Sequence, residues 1–260
     1  MTTPTLHGHW FTPDRGQDLL VVGPSLGTGV VALWGRCAEA LAGSAEVDVL
    51  GWDLPGHGEG DPVDAPFTLD ELAAGVMDLV DRARPGARFV HAGVSVAGLT
   101  SLALATSGRV LGVAVICSDA RVGTTQGWRE RADLVRRSGT SVMVEGSAQR
   151  WFAPGFLERE ARVAGGLLTT LEHADAASYA RVCEALATAD YRDAAADIAV
   201  PVLVMGGRHD PVCTPEQQQA LAAAVPGARL VILEDAAHLA PAESPLEVAE
   251  VLADWLPGAR

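Results

Sequence analysis

Three residues far apart in the chain have the side-chain types that together make a hydroxyl nucleophilic. Ser95 lies in Gly93-Val94-Ser95-Val96-Ala97-Gly98, Asp210 in Arg208-His209-Asp210-Pro211, and His238 in Glu234-Asp235-Ala236-Ala237-His238. A serine hydroxyl is a poor nucleophile near neutral pH. An imidazole must take its proton, and a carboxylate must fix the imidazole tautomer and stabilise its cation. Each candidate follows an apolar run, RFVHAG (88–93), VPVLVMGG (200–207) or ARLVIL (228–233), which predicts a position at the carboxyl end of a strand. The order Ser, Asp, His is the one expected for a sheet that carries such a relay. Taken singly, Asp210 also suits a turn before proline and His238 a helix end; the joint placement carries the reading. Asp235 is a rival acid, but its closeness to His238 in the same loop makes it a poorer orienter.

A second serine competes. The strict G-x-S-x-G pattern occurs at Gly23-Pro24-Ser25-Leu26-Gly27, whereas the segment around Ser95 has Ala97 in place of the second glycine. Local structure favours Ser95. Residues 96–107 (VAGLTSLALATS) can begin a helix at once and aim its amides at the site, while Ser25 runs into the loop Gly27-Thr28-Gly29. Charge on a tetrahedral intermediate needs preorganised N–H donors, and the expected pair is Val96 together with Leu26 in the loop after DLLVVG (18–23).

The elements that must position these groups are legible as alternation. Strand-like runs at 18–23, 47–53, 88–93, 110–119, 200–207 and 228–233 are separated by helix-like segments at 32–42, 69–84, 96–107, 215–225 and 243–256. This pattern predicts an α/β fold, a mostly parallel twisted sheet flanked by helices, with the working groups beyond the carboxyl ends of the strands. Between about 120 and 190 no strand is evident. We therefore expect an α/β core from 1–119 and 190–260 and a helical cap over 120–189. The segment 121–189 holds nine Arg against eight acidic residues, while the rest of the chain is strongly acidic. Arginines of the insertion are thus candidate counter-ions for an anionic substrate, the plainer alternative being a solvated helix face.

Composition sets bounds on the rest. The 260 residues, 48% of them hydrophobic, suffice for one large domain or a core with an insertion. A formal net charge of −14 disfavours nucleic acid and anionic lipid as partners. All 19 basic residues are Arg, which removes Schiff-base and phosphate-loop lysine chemistry. Cys37, Cys117, Cys183 and Cys213 are widely spaced, and the histidines show no ligand spacing, so neither a metal nor a cofactor is expected. With no export signal and no apolar run of about 20 residues, the chain reads as cytoplasmic and without membrane contact. His57 in Gly56-His57-Gly58 is expected to bridge loops near the site.

From residue 18 onward the chain resembles the α/β-hydrolases. The resemblance rests on the SLGT loop with Trp34 shortly after it, Asp53-Leu54-Pro55-Gly56-His57-Gly58, the Ser95 turn, GGRHDP and DAAHLAPAESP. Within that superfamily, SLGT together with VGTTQGW (122–128) and QRWFAPGF (149–156) resembles the 3-oxoadipate enol-lactonases. That resemblance implies a serine carboxylic ester hydrolase opening a small anionic lactone, with Arg150 as carboxylate anchor, Trp151 as apolar wall and Trp34 near the pocket. Ala97 and the short N-terminal strand region depart from the family pattern. Another esterase or lactonase of the same fold, and a non-catalytic receptor of that fold, stand as alternatives.

Overall fold

Apolar β-rich runs that are buried on both faces are what a parallel sheet covered by helices requires. In the computed structural model, which describes residues 2–256, the elements run β1 (Gly8–Trp10), β2 (Asp18–Gly23), α1 (Val30–Ser44), β3 (Val47–Trp52), α2 (Leu69–Ala83), β4 (Phe89–Val94), α3 (Val96–Ala105) and β5 (Val110–Ile116). There follow α4 (Thr125–Ser138), α5 (Val144–Trp151), α6 (Phe156–Arg159), α7 (Ala161–His173) and α8 (Ala176–Thr188). The chain then returns through β6 (Val202–Gly207), α9 (Pro215–Ala224), β7 (Arg229–Leu233), α10 (Ala240–Glu243) and α11 (Pro245–Trp255). The mostly parallel α/β sheet that the alternation predicts is present: seven strands lie in the order β1-β3-β2-β4-β5-β6-β7, and only β1 is antiparallel to its neighbour.

The strand order reverses at β2. Right-handed crossovers therefore place α1 on one face and α2 with α3 on the other; accordingly α1 packs with α11, and α2 with α3. A reversal of this kind opens a crevice beyond the carboxyl ends of the two strands that flank it. Those strands are β2 and β4, and their last register pair is Gly23 with Gly93. The loop holding Ser25 and Leu26 and the turn holding Ser95 thus leave the sheet side by side. Asp210 follows β6 and His238 follows β7, at the same edge of the sheet.

Local sequence explains the principal ends. Thr68 caps α2 through a reciprocal pair with Glu71, and Thr214 caps α9 with Gln217, with Pro215 at the first helical position. Gly29, before α1, offers no side chain, and the buried Asp53 supplies the missing acceptor, its Oδ1 taking the Val30 N–H at 2.7 Å while Oδ2 takes that of Glu59 at 3.0 Å. This ties the SLGT loop to the DLPGHG segment. Among the described residues no helix is long and apolar enough to cross a membrane.

Candidate active site

Ser95 sits between β4 and α3 with φ 56° and ψ −112°, left-handed backbone that a residue bearing a Cβ rarely adopts. Neighbours hold it there. Its N–H donates to Ile116 O at 2.9 Å, and Ser118 Oγ donates to Ser95 O at 2.7 Å, so the end of β5 and the residues just after it brace the turn on both sides of the residue. Serine at a helix N-cap ordinarily caps with its hydroxyl; this one does not, which leaves Oγ for other work. A side chain on Gly93 would collide with the Ala97 carbonyl oxygen, and one on Gly98 would come within 2.5 Å of Ser118 Cβ. Small residues here are a condition of the turn.

His238 Nδ1 lies 2.9 Å from Asp210 Oδ2, both side chains buried. The other carboxylate oxygen accepts from Val212 N–H at 2.7 Å and Cys213 N–H at 3.1 Å, which fixes the plane of the acid. With Nδ1 donating to the acid, Nε2 is the nitrogen left to accept a proton. Ser95 and His238 line one cavity of about 340 Å³, within the ordinary range for a small-molecule site. Asp235, the rival acid, is exposed and lies elsewhere on the surface.

Leu26 lines the same cavity. Its loop is a closed turn: Thr28 N–H and Thr28 Oγ1 both donate to Ser25 O, at 3.0 and 2.9 Å, and Ser25 N–H donates to Thr28 Oγ1 at 3.1 Å. The Leu26 amide has no part in that turn. Val96 is the first residue of α3, so no helical carbonyl lies one turn back to accept from its amide. Gly27, at φ 88°, lets the insertion approach; a Cβ there would come within 2.7 Å of Leu171.

The insertion closes the cavity with Val122, Trp128, Arg131, Arg150, Trp151 and Tyr179. Arg150 and Trp151 thus share one cavity with Ser95 and His238. Arg131 is not marked by any spacing in the sequence; its guanidinium sits 4.7 Å from the Trp128 ring centroid, and its charge acts on the buried Tyr179 hydroxyl. Among the described residues neither Arg131 nor Arg150 has a carboxylate partner, so the two guanidinium groups on the cavity wall are not neutralised by an acid of the chain. Burial and the charge of Arg131 together push the Arg150 guanidinium below its ordinary pKa. Two cations facing one cavity favour an anion in it.

Trp34 does not fit its expected place. It is fully buried, its indole N–H donates to Gly23 O at 2.9 Å, and it is absent from the cavity wall. The chain turns into α1 immediately after the SLGT loop, which points position 34 at the sheet. His57 is likewise internal: Nδ1 lies 2.8 Å from Pro55 O and the ring stacks on Tyr179, with centroids 5.7 Å apart. The one metal-like cluster among the described residues is Asp210, Cys213 and His238. Burial drives the Cys213 thiol upward in pKa and keeps it protonated, and the Nδ1 of His238 is already engaged by the acid, so the group is a poor ligand set.

The chain belongs to the alpha/beta hydrolase family, whose sequence profile matches residues 6–251. It is 37% identical over 200 residues to 3-oxoadipate enol-lactonase 2 of Acinetobacter baylyi, covering 76% of this chain and 74% of that one. It is 30% identical over 240 residues to 3-oxoadipate enol-lactonase 1 of the same organism, covering 91% and 88%. Among solved structures, the enol-lactonase from Burkholderia xenovorans superposes with a TM-score of 0.90 at 34% identity, covering 97% of this chain and 96% of that one.

Proposed function

We propose that the protein is a serine hydrolase that opens the ring of 3-oxoadipate enol-lactone, a five-membered enol ester bearing an acetate arm, with Ser95, His238 and Asp210 as its catalytic relay. The observation that carries the substrate class is the pair of guanidinium groups, Arg131 and Arg150, that face the cavity of Ser95 without a carboxylate of their own. A planar donor fork suits a carboxylate, and the acetate arm supplies one. The enol-lactonase relatives support the same reading.

Ser95 Oγ bonds to the ring carbonyl carbon as its proton passes to His238 Nε2, and Asp210 stabilises the resulting imidazolium. The amides of Val96 and Leu26 receive the oxyanion. Collapse of the intermediate breaks the ring C–O bond; the departing enol oxygen takes the proton from His238 and tautomerises to a ketone. Water, deprotonated by the same imidazole, then attacks the acyl carbon and releases the free acid and Ser95.

The test is turnover of the enol-lactone by the purified protein, followed by its ultraviolet absorbance, beside a panel of neutral esters. The lactone is expected to be the better substrate, with Ser95→Ala inactive on both. Neutral esters turned over faster than the lactone would assign another esterase. No turnover of either, with no labelling of Ser95 by a fluorophosphonate, would leave a binding protein.

A further inference from the structure

Glu243 is the last residue of α10, five positions beyond His238, and none of the steps above uses its carboxylate. That carboxylate is turned back on the loop that carries the imidazole. Oε2 accepts from Ala237 N–H at 2.9 Å and from Leu239 N–H at 3.2 Å, the residues on either side of His238. Oε1 accepts from Ala153 N–H at 2.6 Å, just after α5. Between these, His238 N–H donates to Trp151 O at 3.1 Å. Two hydrogen bonds thus cross from residues 151–153 of the insertion to the core, one to the His238 backbone and one to Glu243, and Glu243 in turn holds the amides on both sides of His238.

The choice of a carboxylate at this place is informative. Burial outweighs the three amide hydrogen bonds and the interaction with His238, all of which favour the carboxylate, and leaves Glu243 raised to about 7. An apolar residue would fill the space without that cost, so packing alone does not account for the acid. What only a carboxylate offers is enough lone pairs on two oxygens to take three N–H donors arriving from two segments. One of those segments carries the imidazole; the other carries Trp151, next to Arg150, on the cavity wall.

We propose that Glu243 is a positioning residue, locking the His238 loop to the cavity wall at Trp151–Ala153 so that base and pocket keep one fixed relation. This rests on the reading of His238 as the base.

The test compares Glu243→Gln with Glu243→Asp. Glutamine keeps the volume but turns an NH2 toward at least one peptide N–H, and aspartate keeps the charge but withdraws it by one methylene. In Glu243→Gln, amide hydrogen exchange in residues 151–153 and 237–239 is expected to accelerate together, at least tenfold, while β2 and β4 keep wild-type protection. For a neutral aryl ester kcat should fall at least tenfold with KM little changed; for the anionic lactone KM should rise as well, because Arg150 and Trp151 adjoin the released segment. Glu243→Asp should fall between, and it carries the comparison alone if the glutamine variant does not fold. The proposal is overturned if only one segment, or neither, exchanges faster, or if kcat per folded molecule stays at the wild-type value. The aryl ester and fluorophosphonate labelling of Ser95 report on the base whatever the natural substrate, so failure of the lactone reading leaves this test standing.

Discussion

The methyl group of Ala97 lies 2.6 Å from where a Cβ on Gly23 would stand, so the alanine of the Ser95 turn and the glycine at the end of β2 share one space. The departure from two glycines in the Ser95 motif is therefore tolerated because Gly23 yields the room. The first glycine of the serine motif at residues 23–27, which is not followed by a strand-to-helix turn, thus serves the neighbouring strand. We expect Ala97→Gly to keep turnover and cost about 1 kcal/mol of stability, the ordinary price of glycine in a helix. Ala97→Leu should abolish soluble expression or serine labelling. Thermal denaturation and aryl-ester turnover check both; a fully active leucine variant would show that the contact is unimportant.

Asp210→Asn isolates the acid. The Oδ1 oxygen can keep the two amides of Val212 and Cys213, while the new NH2 faces His238 Nδ1 and forces the wrong tautomer. A loss of about 10³–10⁴ in kcat is expected, with a melting temperature near that of the parent. Retention of more than a tenth of kcat would remove Asp210 from the relay.

Arg131 and Arg150 should differ from the triad in what they affect. Arg150→Ala and Arg131→Ala are each expected to lower kcat/KM for the anionic lactone by ten- to a hundredfold, chiefly through KM, and to leave a neutral lactone within about threefold. Each single change should also relieve the cation that remains. Equal losses on charged and neutral substrates would reject both as carboxylate anchors.

Acid should act on the fold through two buried histidines. Burial lowers His57 to about 4 and His91 to about 3 from the ordinary 6.5. Between 6.5 and those values the unfolded chain binds more protons than the folded one, so the stability each gives above pH 6.5 is lost as pH falls. For His57 the full loss is about 3 kcal/mol. Glu243, raised to about 7, works in the opposite sense between 4.5 and 7, so the comparison must be made between variants. His57→Gln should be less stable than wild type at pH 7.5 by thermal denaturation, and the gap should narrow by pH 4.5. A gap independent of pH would show that His57 carries no such linkage.

Much of this was readable from residue types. Six of the seven strands coincide with apolar runs, because strands buried on both faces need no alternation to be seen. β1 was not foreseen: Gly8–Trp10 is three residues long, and it becomes a strand only by pairing with β3. Ser95, Asp210 and His238 were legible because strand ends place them. Arg131 was hidden among nine arginines of the insertion, since no rule of spacing says which face of α4 turns to the cavity. Glu243 was within a quoted motif, yet its use depends on a short helix folding back over the loop before it, a tertiary event. Trp34 lies beside the root of the SLGT loop, bonded to Gly23 O, yet its ring turns into the core and not to the cavity, an orientation that sequence spacing does not show.

The level finish of β2 and β4 has a further consequence. Because Gly23 faces Gly93 across a parallel ladder, the loop of Leu26 and the turn of Ser95 leave the sheet from two points held at the spacing of neighbouring strands, about 4.8 Å. The departure points of both segments are thus inherited from the backbone lattice, and changes in the helical insertion can reshape the cavity wall without disturbing that gauge.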